Sequence, residues 1–93
     1  LMTKFMYAIE ITTVNGFNEA YHYRYFDNAE DALEYANKVV YTKEAYNNEH
    51  CPTDLALIQV PIEKFSDWAM SNKNQYDFPM LASWFEIDNY VRK

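Results

Sequence analysis

The dipeptide Asn15-Gly16 lies between two runs rich in β-branched and aromatic residues, and it constrains the fold more than any other feature of the chain. Gly and Asn adopt a positive φ at little cost, so this dipeptide between two such runs predicts a β-hairpin. We expect the hairpin to span residues 4–26. Its strands are expected to carry five of the chain's aromatic residues: Phe5, Tyr7, Tyr21, Tyr23 and Tyr25.

Two closures of this hairpin compete. A two-residue loop at Asn15-Gly16 pairs Val14 with Phe17, whereas a three-residue loop over residues 14–16 pairs Thr13 with Phe17. The second register separates the side chains into an apolar face (Phe5, Tyr7, Ile9, Ile11, Tyr21, Tyr23, Tyr25) and a polar face open to water (Glu10, Thr12, His22, Arg24). A slip of one residue would mix these faces, so the pattern favours the three-residue loop.

Residues 27–31 predict the start of a helix, with Asn28 or Asp27 as the N-cap, and its pattern weakens after Thr42 towards a fraying end at residues 46–48. Small and aliphatic residues recur on one side of it at helical spacing: Ala29, Ala32, Leu33, Ala36, Val39 and Val40. Charged residues occupy the opposite side: Glu30, Asp31, Glu34 and Lys38. We expect the alanines to pack against the tyrosines of the hairpin and the charges to face solvent.

The remaining residues continue an alternation of elements. Residues 47–54 read as a connecting loop, and the continuous apolar run 55–60 predicts a central strand covered on both faces. Pro61 precedes a short second helix ending near residues 71–72, and residues 73–77 read as a polar loop. Residues 78–91 fit a strand or a helix, and their alternation favours the strand.

The predicted fold class is α+β, with one domain over residues 1–93. It has a mainly antiparallel sheet of three or four strands with two helices packed on it, in the order ββαβα and then a further β.

Composition limits the kind of partner. The net charge of −6 disfavours direct nucleic-acid binding and favours a protein partner with a basic surface. The alternative is that this moderate acidity only keeps a small domain in solution. One cysteine excludes a framework of internal disulfides and is typical of a reducing compartment, and no apolar run is long enough for a membrane span. We therefore expect a cytoplasmic protein.

Two histidines and one cysteine are the main candidates for catalysis or metal binding. Glu49, His50, Cys51 and Asp54 lie close together, but their spacing differs from the paired ligands of zinc sites. Cys51 as a nucleophile would need His22 or His50 as its base, and the single glycine already serves the turn rather than a phosphate-binding loop. We predict no enzyme activity, no metal site and no cofactor. A small-ligand or metal-dependent enzyme that uses these histidines and Cys51 remains the third hypothesis.

The strongest functional feature is a group of acidic and aromatic residues on and after the first predicted helix. The predicted partner-binding residues are Asp27, Glu30, Asp31, Glu34, Tyr41 and Glu44, with Tyr35 and Tyr46 beside them. Carboxylates three or four residues apart on an exposed helix can occupy a groove that binds phosphates, and tyrosine is a frequent anchor at interfaces. The alternative is a helix exterior that is only solvated, as most charge runs are.

The leading hypothesis is therefore a small, non-catalytic protein that inhibits a partner by blocking its basic, nucleic-acid-binding surface. In size, acidity and richness in Asn, Tyr and Glu, the chain is similar to small phage or mobile-element inhibitors such as anti-CRISPR and anti-restriction proteins. This similarity is one of composition and transfers no residue. The second hypothesis is a module that self-associates, most simply as a homodimer through an exposed edge strand.

Overall fold

The computed structural model describes residues 4–42, 51–71, 73 and 77–83. They form, in chain order, β1 (Phe5–Asn15), β2 (Asn18–Phe26), α1 (Ala29–Thr42), β3 (Cys51–Pro61), α2 (Ile62–Met70) and β4 (Met80–Ser83). The strands make one sheet in the order β2-β1-β3-β4, and every neighbouring pair is antiparallel. The prediction of an α+β fold with the order ββαβα and then β is confirmed.

The hairpin closes one residue further along the chain than the dipeptide suggests. Asn15 pairs with Asn18, so the two-residue loop is Gly16-Phe17. Gly16 has a φ of +64° and occupies the first central position, as in a type II′ turn. Both registers considered from the sequence are therefore wrong, including the preferred three-residue loop.

This register changes which side chains share a face. Tyr21, Tyr23 and Tyr25 pair with Thr12, Glu10 and Ala8, and His22 and Arg24 pair with Ile11 and Ile9. Glu10 and Thr12 are buried, so the expected polar, water-facing side of the hairpin does not form. The pattern argument failed because it assumed one solvated face, whereas β1 lies inside the sheet and is covered on both faces.

Helix α1 covers one face of the sheet through its alanines. Ala32 and Ala36 are fully buried and pack with aliphatic side chains of the two central strands: Ile9, Ile11, Leu55 and Leu57. Alanine brings the helix backbone close to the sheet, which lets these larger side chains fill the space between the layers. The predicted helix and its buried stripe are confirmed at these two alanines, but their partners are aliphatic residues rather than Tyr21, Tyr23 and Tyr25.

Helix α2 covers the opposite face, with Trp68 at the centre of its contact. Trp68 packs in a second core cluster with Ala8, Ala56, Ile58 and Val60, and the aromatic side chains of Tyr23, Phe65 and Phe78 surround that cluster. The N–H of Ile62 donates a hydrogen bond of 2.9 Å to the Lys4 carbonyl, which attaches the start of α2 to the chain leading into β1. The tyrosines of β2 therefore face α2, not α1.

Strand β3 is central and longer than predicted. The expected run 55–60 forms its middle, but residues 51–54 also belong to the strand rather than to a loop. The pairing of β1 with β3 shifts between Thr12 and Thr13, next to Pro52, and such an irregularity is where a strand tolerates proline. Residues 47–50 lie outside the described residues.

The last described strand, β4, answers in part whether residues 78–91 form a strand or a helix. β4 pairs with β3 at Ala56, Leu57 and Ile58, so residues 80–83 are a strand as expected. The predicted strand began at residue 78, but residues 78–79 precede β4 and are not part of it. Residues 84–91 of the predicted strand and most of the predicted loop over residues 73–77 lie outside the described residues.

Candidate interaction surfaces

The first turn of α1 is closed by a network of three polar side chains. The Oδ1 atom of Asn28 accepts a hydrogen bond of 2.8 Å from the N–H of Asp31, so Asn28 rather than Asp27 is the N-cap. Its Nδ2 atom donates to Oδ1 of Asp27 at 2.8 Å and to Oδ2 of Asp31 at 2.9 Å. Both carboxylates thus lie at the positive end of the helix dipole and stabilise the fold.

Glu30 and Glu34 lie on the outer side of α1. They are one turn apart and exposed, and they lie opposite the buried Ala32. A side chain four residues away is on the same face of a helix, so the two carboxylates form a pair directed away from the sheet. We call this pair the acidic face of α1.

Two other predicted partner-binding residues have no described side chain. Tyr41 lies in the last turn of α1, within the helix, but its side chain is outside the described part. Glu44 and Tyr46 lie outside the described residues. The structure therefore brings together Asp27, Glu30, Asp31 and Glu34 at the beginning of α1.

Tyr35 joins α1 to the edge of the sheet. Its ring centre lies 5.6 Å from that of Phe26 and 5.0 Å from the guanidinium carbon of Arg24. The ring is half-buried, and its two contacts fix the end of β2 beneath the helix. Tyr35 therefore has a structural role and is not a free anchor beside the acidic face.

A buried carboxylate lies on the face covered by α2, and the sequence reasoning had placed it in solvent. Glu10 is 6 % exposed, and its Oε2 atom accepts a hydrogen bond of 2.5 Å from the Tyr23 hydroxyl. Burial raises the pKa of Tyr23 above its ordinary value, and the hydrogen bond to Glu10 raises that pKa further. The Lys73 ammonium lies 5.1 Å from the centre of the Tyr23 ring.

The candidate residues for metal binding and catalysis are not gathered in the described structure. Nε2 of His22 and Oγ1 of Thr13 share a hydrogen bond of 3.1 Å on the face covered by α1. Cys51 begins β3, with its side chain outside the described part, and His50 and Glu49 lie outside it as well. Among the described residues, no three His, Cys, Asp or Glu side chains are grouped as metal ligands.

An open cleft of about 410 Å³ lies beside α2. Its lining combines both charges with two aromatic rings: Lys64, Asp67, Trp68, Ser71, Asp77 and Phe78. The Ser71 hydroxyl donates a hydrogen bond of 2.7 Å to the carbonyl of Trp68. This bond orients the serine towards the helix backbone, so the lining described here does not pair a nucleophile with a base.

Exposed aromatic side chains lie at the hairpin tip and on the outer strand β2, and two of them, Tyr21 and Tyr25, were expected in the core. Phe17 at the hairpin tip is fully exposed, Tyr21 is 55 % exposed and Tyr25 is 39 % exposed. The Tyr21 hydroxyl donates a hydrogen bond of 3.0 Å to Glu19, and this bond is the main cause of its raised pKa. The sequence indicated only that Tyr21 and Tyr25, four residues apart, fall on one side of a strand.

Neither described helix has the length and apolar content of a membrane span. The chain matches no protein-family model, no curated protein and no solved structure.

Proposed function

We propose that the protein is a non-catalytic binding protein that captures a partner through the acidic face of α1. The observation that carries this proposal is the position of Glu30 and Glu34, which are exposed on the outer side of a helix whose inner side is buried at Ala32 and Ala36. The cap network accounts for Asp27 and Asp31, but it does not account for this outer pair.

The charge of the protein favours a basic partner. The net charge of −6 adds a long-range attraction towards a positive surface, and this attraction raises the rate of encounter. The cap network supports the same interaction at short range, because it holds Asp27 and Asp31 beside the exposed pair. A groove lined with Lys and Arg for phosphates would meet several carboxylates at spacings set by the rigid first two turns of α1.

The proposed consequence is inhibition. A protein that occupies a nucleic-acid-binding surface excludes the nucleic acid without needing any catalytic group of its own. We propose a nucleic-acid-binding protein as the partner because the composition of the chain is similar to that of anti-CRISPR and anti-restriction proteins. We place the interaction in the cytoplasm, which suits a chain with one cysteine.

The test is capture of the partner from an extract of the native host, with mass spectrometry of what is retained. We expect the wild-type chain to retain a protein with a basic surface, and Glu30→Lys with Glu34→Lys to lose it. Both residues are exposed, so circular dichroism and the midpoint of unfolding should show an intact fold. Capture should also weaken as the salt concentration rises, because exposed charges are screened.

Helix α2 supplies a matched control. Like Glu30 and Glu34, Glu63 and Asp67 are exposed and one turn apart, and Glu63 lies in the first turn of its helix. They differ in that α2 lies on the opposite face of the sheet. Replacing one carboxylate by lysine raises the net charge by two units, so the two double variants have the same net charge. Equal loss of capture by both variants would show that only net charge matters and would refute the acidic face as the binding surface.

A further inference from the structure

Strand β2 forms an outer edge of the sheet of described strands, and its own sequence lacks the residues that usually protect such an edge. Its nine residues pair with β1 on one side, and in the part of the chain that the structure describes no strand pairs with its other side. Proteins commonly protect such an edge with lysine, proline or a short strand, and β2 has neither residue and is not short. Its one cation, Arg24, lies over the ring of Tyr35.

The half of β2 nearest the turn is also uncovered on its faces. Every residue from Gly16 to His22 is exposed, whereas β1 opposite is buried from Ala8 to Thr13. A strand with open backbone groups and uncovered aromatic side chains is suited to binding a further strand.

Tyr21 lies midway between two other exposed aromatic residues. Tyr25 is four residues after it on the same side of β2, and Phe17, in the turn, is four residues before it. If a second β2 lies antiparallel with Tyr21 opposite its own copy, the two Tyr21 rings meet, and each Tyr25 reaches the turn that carries Phe17 of the other copy. Aromatic cross-strand pairs stabilise a sheet.

The charged residues of β2 are compatible with this register and disfavour two others. With Tyr21 at the centre, Glu19 lies opposite Tyr23, and Arg24 lies opposite Asn18. Moving the centre to Tyr23 would place His22 opposite Arg24 and Glu19 opposite Asp27. Centring on Glu19 would place that carboxylate opposite itself, and like charges directly opposite one another destabilise a sheet.

We propose that the protein forms a homodimer in which β2 pairs antiparallel with β2 of a second copy, across a two-fold axis at Tyr21. If the two-fold axis is perpendicular to the sheet, the faces covered by α1 in the two copies lie on the same side. The two four-stranded sheets then join into a single sheet with eight described strands. Both copies of α1 then lie on the same side of this sheet. This inference does not depend on the function proposed for α1, although the dimer would present two acidic faces in one direction.

The first test is the mass in solution, measured by analytical ultracentrifugation over a series of concentrations. We expect twice the 11.1 kDa of the chain for the wild type. Tyr21→Glu should give the monomer, because it places two carboxylates together at the axis. Met70→Glu is the control: Met70 is more exposed than Tyr21 but lies on α2, so this variant should remain a dimer.

The second test fixes the register by cross-linking, in a chain whose single cysteine is removed by Cys51→Ser. Tyr21→Cys should form a disulfide-linked dimer on mild oxidation, because directly opposed residues lie within the reach of a disulfide. Glu19→Cys should not, because the two copies of residue 19 would be offset by four residues, about 13 Å along the strand. A monomeric wild type, a dimer unaffected by Tyr21→Glu, or equal cross-linking of both cysteine variants would overturn the proposal.

Discussion

The hydrogen bond between Tyr23 and Glu10 offers a test of the hairpin register at one atom. Tyr23→Phe removes only the hydroxyl and leaves the ring in contact with Trp68 at 6.3 Å between ring centres. Glu10, at 6 % exposure, then loses the partner that lies 2.5 Å away. Hydrogen bonds to charged groups contribute about 1.5–3 kcal/mol, and we expect about 1.5 kcal/mol because the half-buried Tyr23 leaves room for water.

Tyr21→Phe is the matched control for this substitution. It removes the same atom from the same strand and the same face, and its hydroxyl also donates to a carboxylate, at 3.0 Å. Tyr21 and Glu19 are both exposed, so water replaces the lost hydrogen bond and we expect no measurable change in stability.

Urea unfolding of the two variants and the wild type measures the difference. For a chain of this length, about 1.5 kcal/mol corresponds to a fall in melting temperature of roughly 6–12 °C. Equal stabilities of the Tyr23→Phe and Tyr21→Phe variants would refute the reasoning, because the registers inferred from the pattern place Tyr23 away from Glu10. The slope of the unfolding free energy against urea concentration should be the same in all three proteins, because neither substitution changes the surface that unfolding exposes.

Three further predictions concern the turn, the cap and pH. Gly16→Ala should destabilise the protein by about 1–2 kcal/mol in urea unfolding, because φ at this position is +64° and the space around it is otherwise open. Asn28→Ala should cost about 1 kcal/mol and lower the helical signal in circular dichroism, since it removes the N-cap of α1. The folded pKa of Tyr23 lies above the ordinary value of 10.0, so its contribution to stability is complete below pH 10 and is lost as the pH rises further. Stability should therefore fall above pH 10, and less steeply in Tyr23→Phe; the same slope in both proteins would contradict this assignment.

Local signals in the sequence predicted the helices well. The cap at Asn28 or Asp27, the acidic first turn and the stripe of alanines all act within a few residues, so they predicted where α1 begins and which side of it is buried. The apolar run 55–60 predicted a strand covered on both faces, and β3 is buried there by helices on both sides. These features depend on short-range geometry, which a pattern of residues can carry.

The hairpin register could not be predicted by the same reasoning. The alternation rule requires one buried and one solvated face, but Ala8 and Ile9 are both fully buried on opposite faces of β1. Glu10 is tolerated inside because Tyr23 donates to it, a contact between residues thirteen apart that depends on the register itself. The exposed aromatics of β2 were misassigned for the same reason, since a hydrophobic side chain indicates burial only when the covering element is known.

The candidate site was predicted in part. The exposure of Glu30, Asp31 and Glu34 follows from the helical period, and Asp27, which precedes the helix, is exposed as well. Their different roles did not follow, because the cap network involves side-chain geometry around Asn28 that spacing alone does not define. Tyr35 was expected beside the acidic face and instead packs on Phe26.

The central claim is that the outer carboxylates of α1, rather than the overall negative charge, bind the partner. Once the partner is isolated, isothermal titration calorimetry can compare the dissociation constants of the two double variants of equal charge. The account predicts that Glu30→Lys with Glu34→Lys weakens binding at least about a hundredfold, because like charges at an interface cost several kcal/mol. Glu63→Lys with Asp67→Lys should weaken it less than about threefold through screened long-range attraction alone. A smaller loss from the α1 variant than from the α2 variant, or an equal one, would contradict the account.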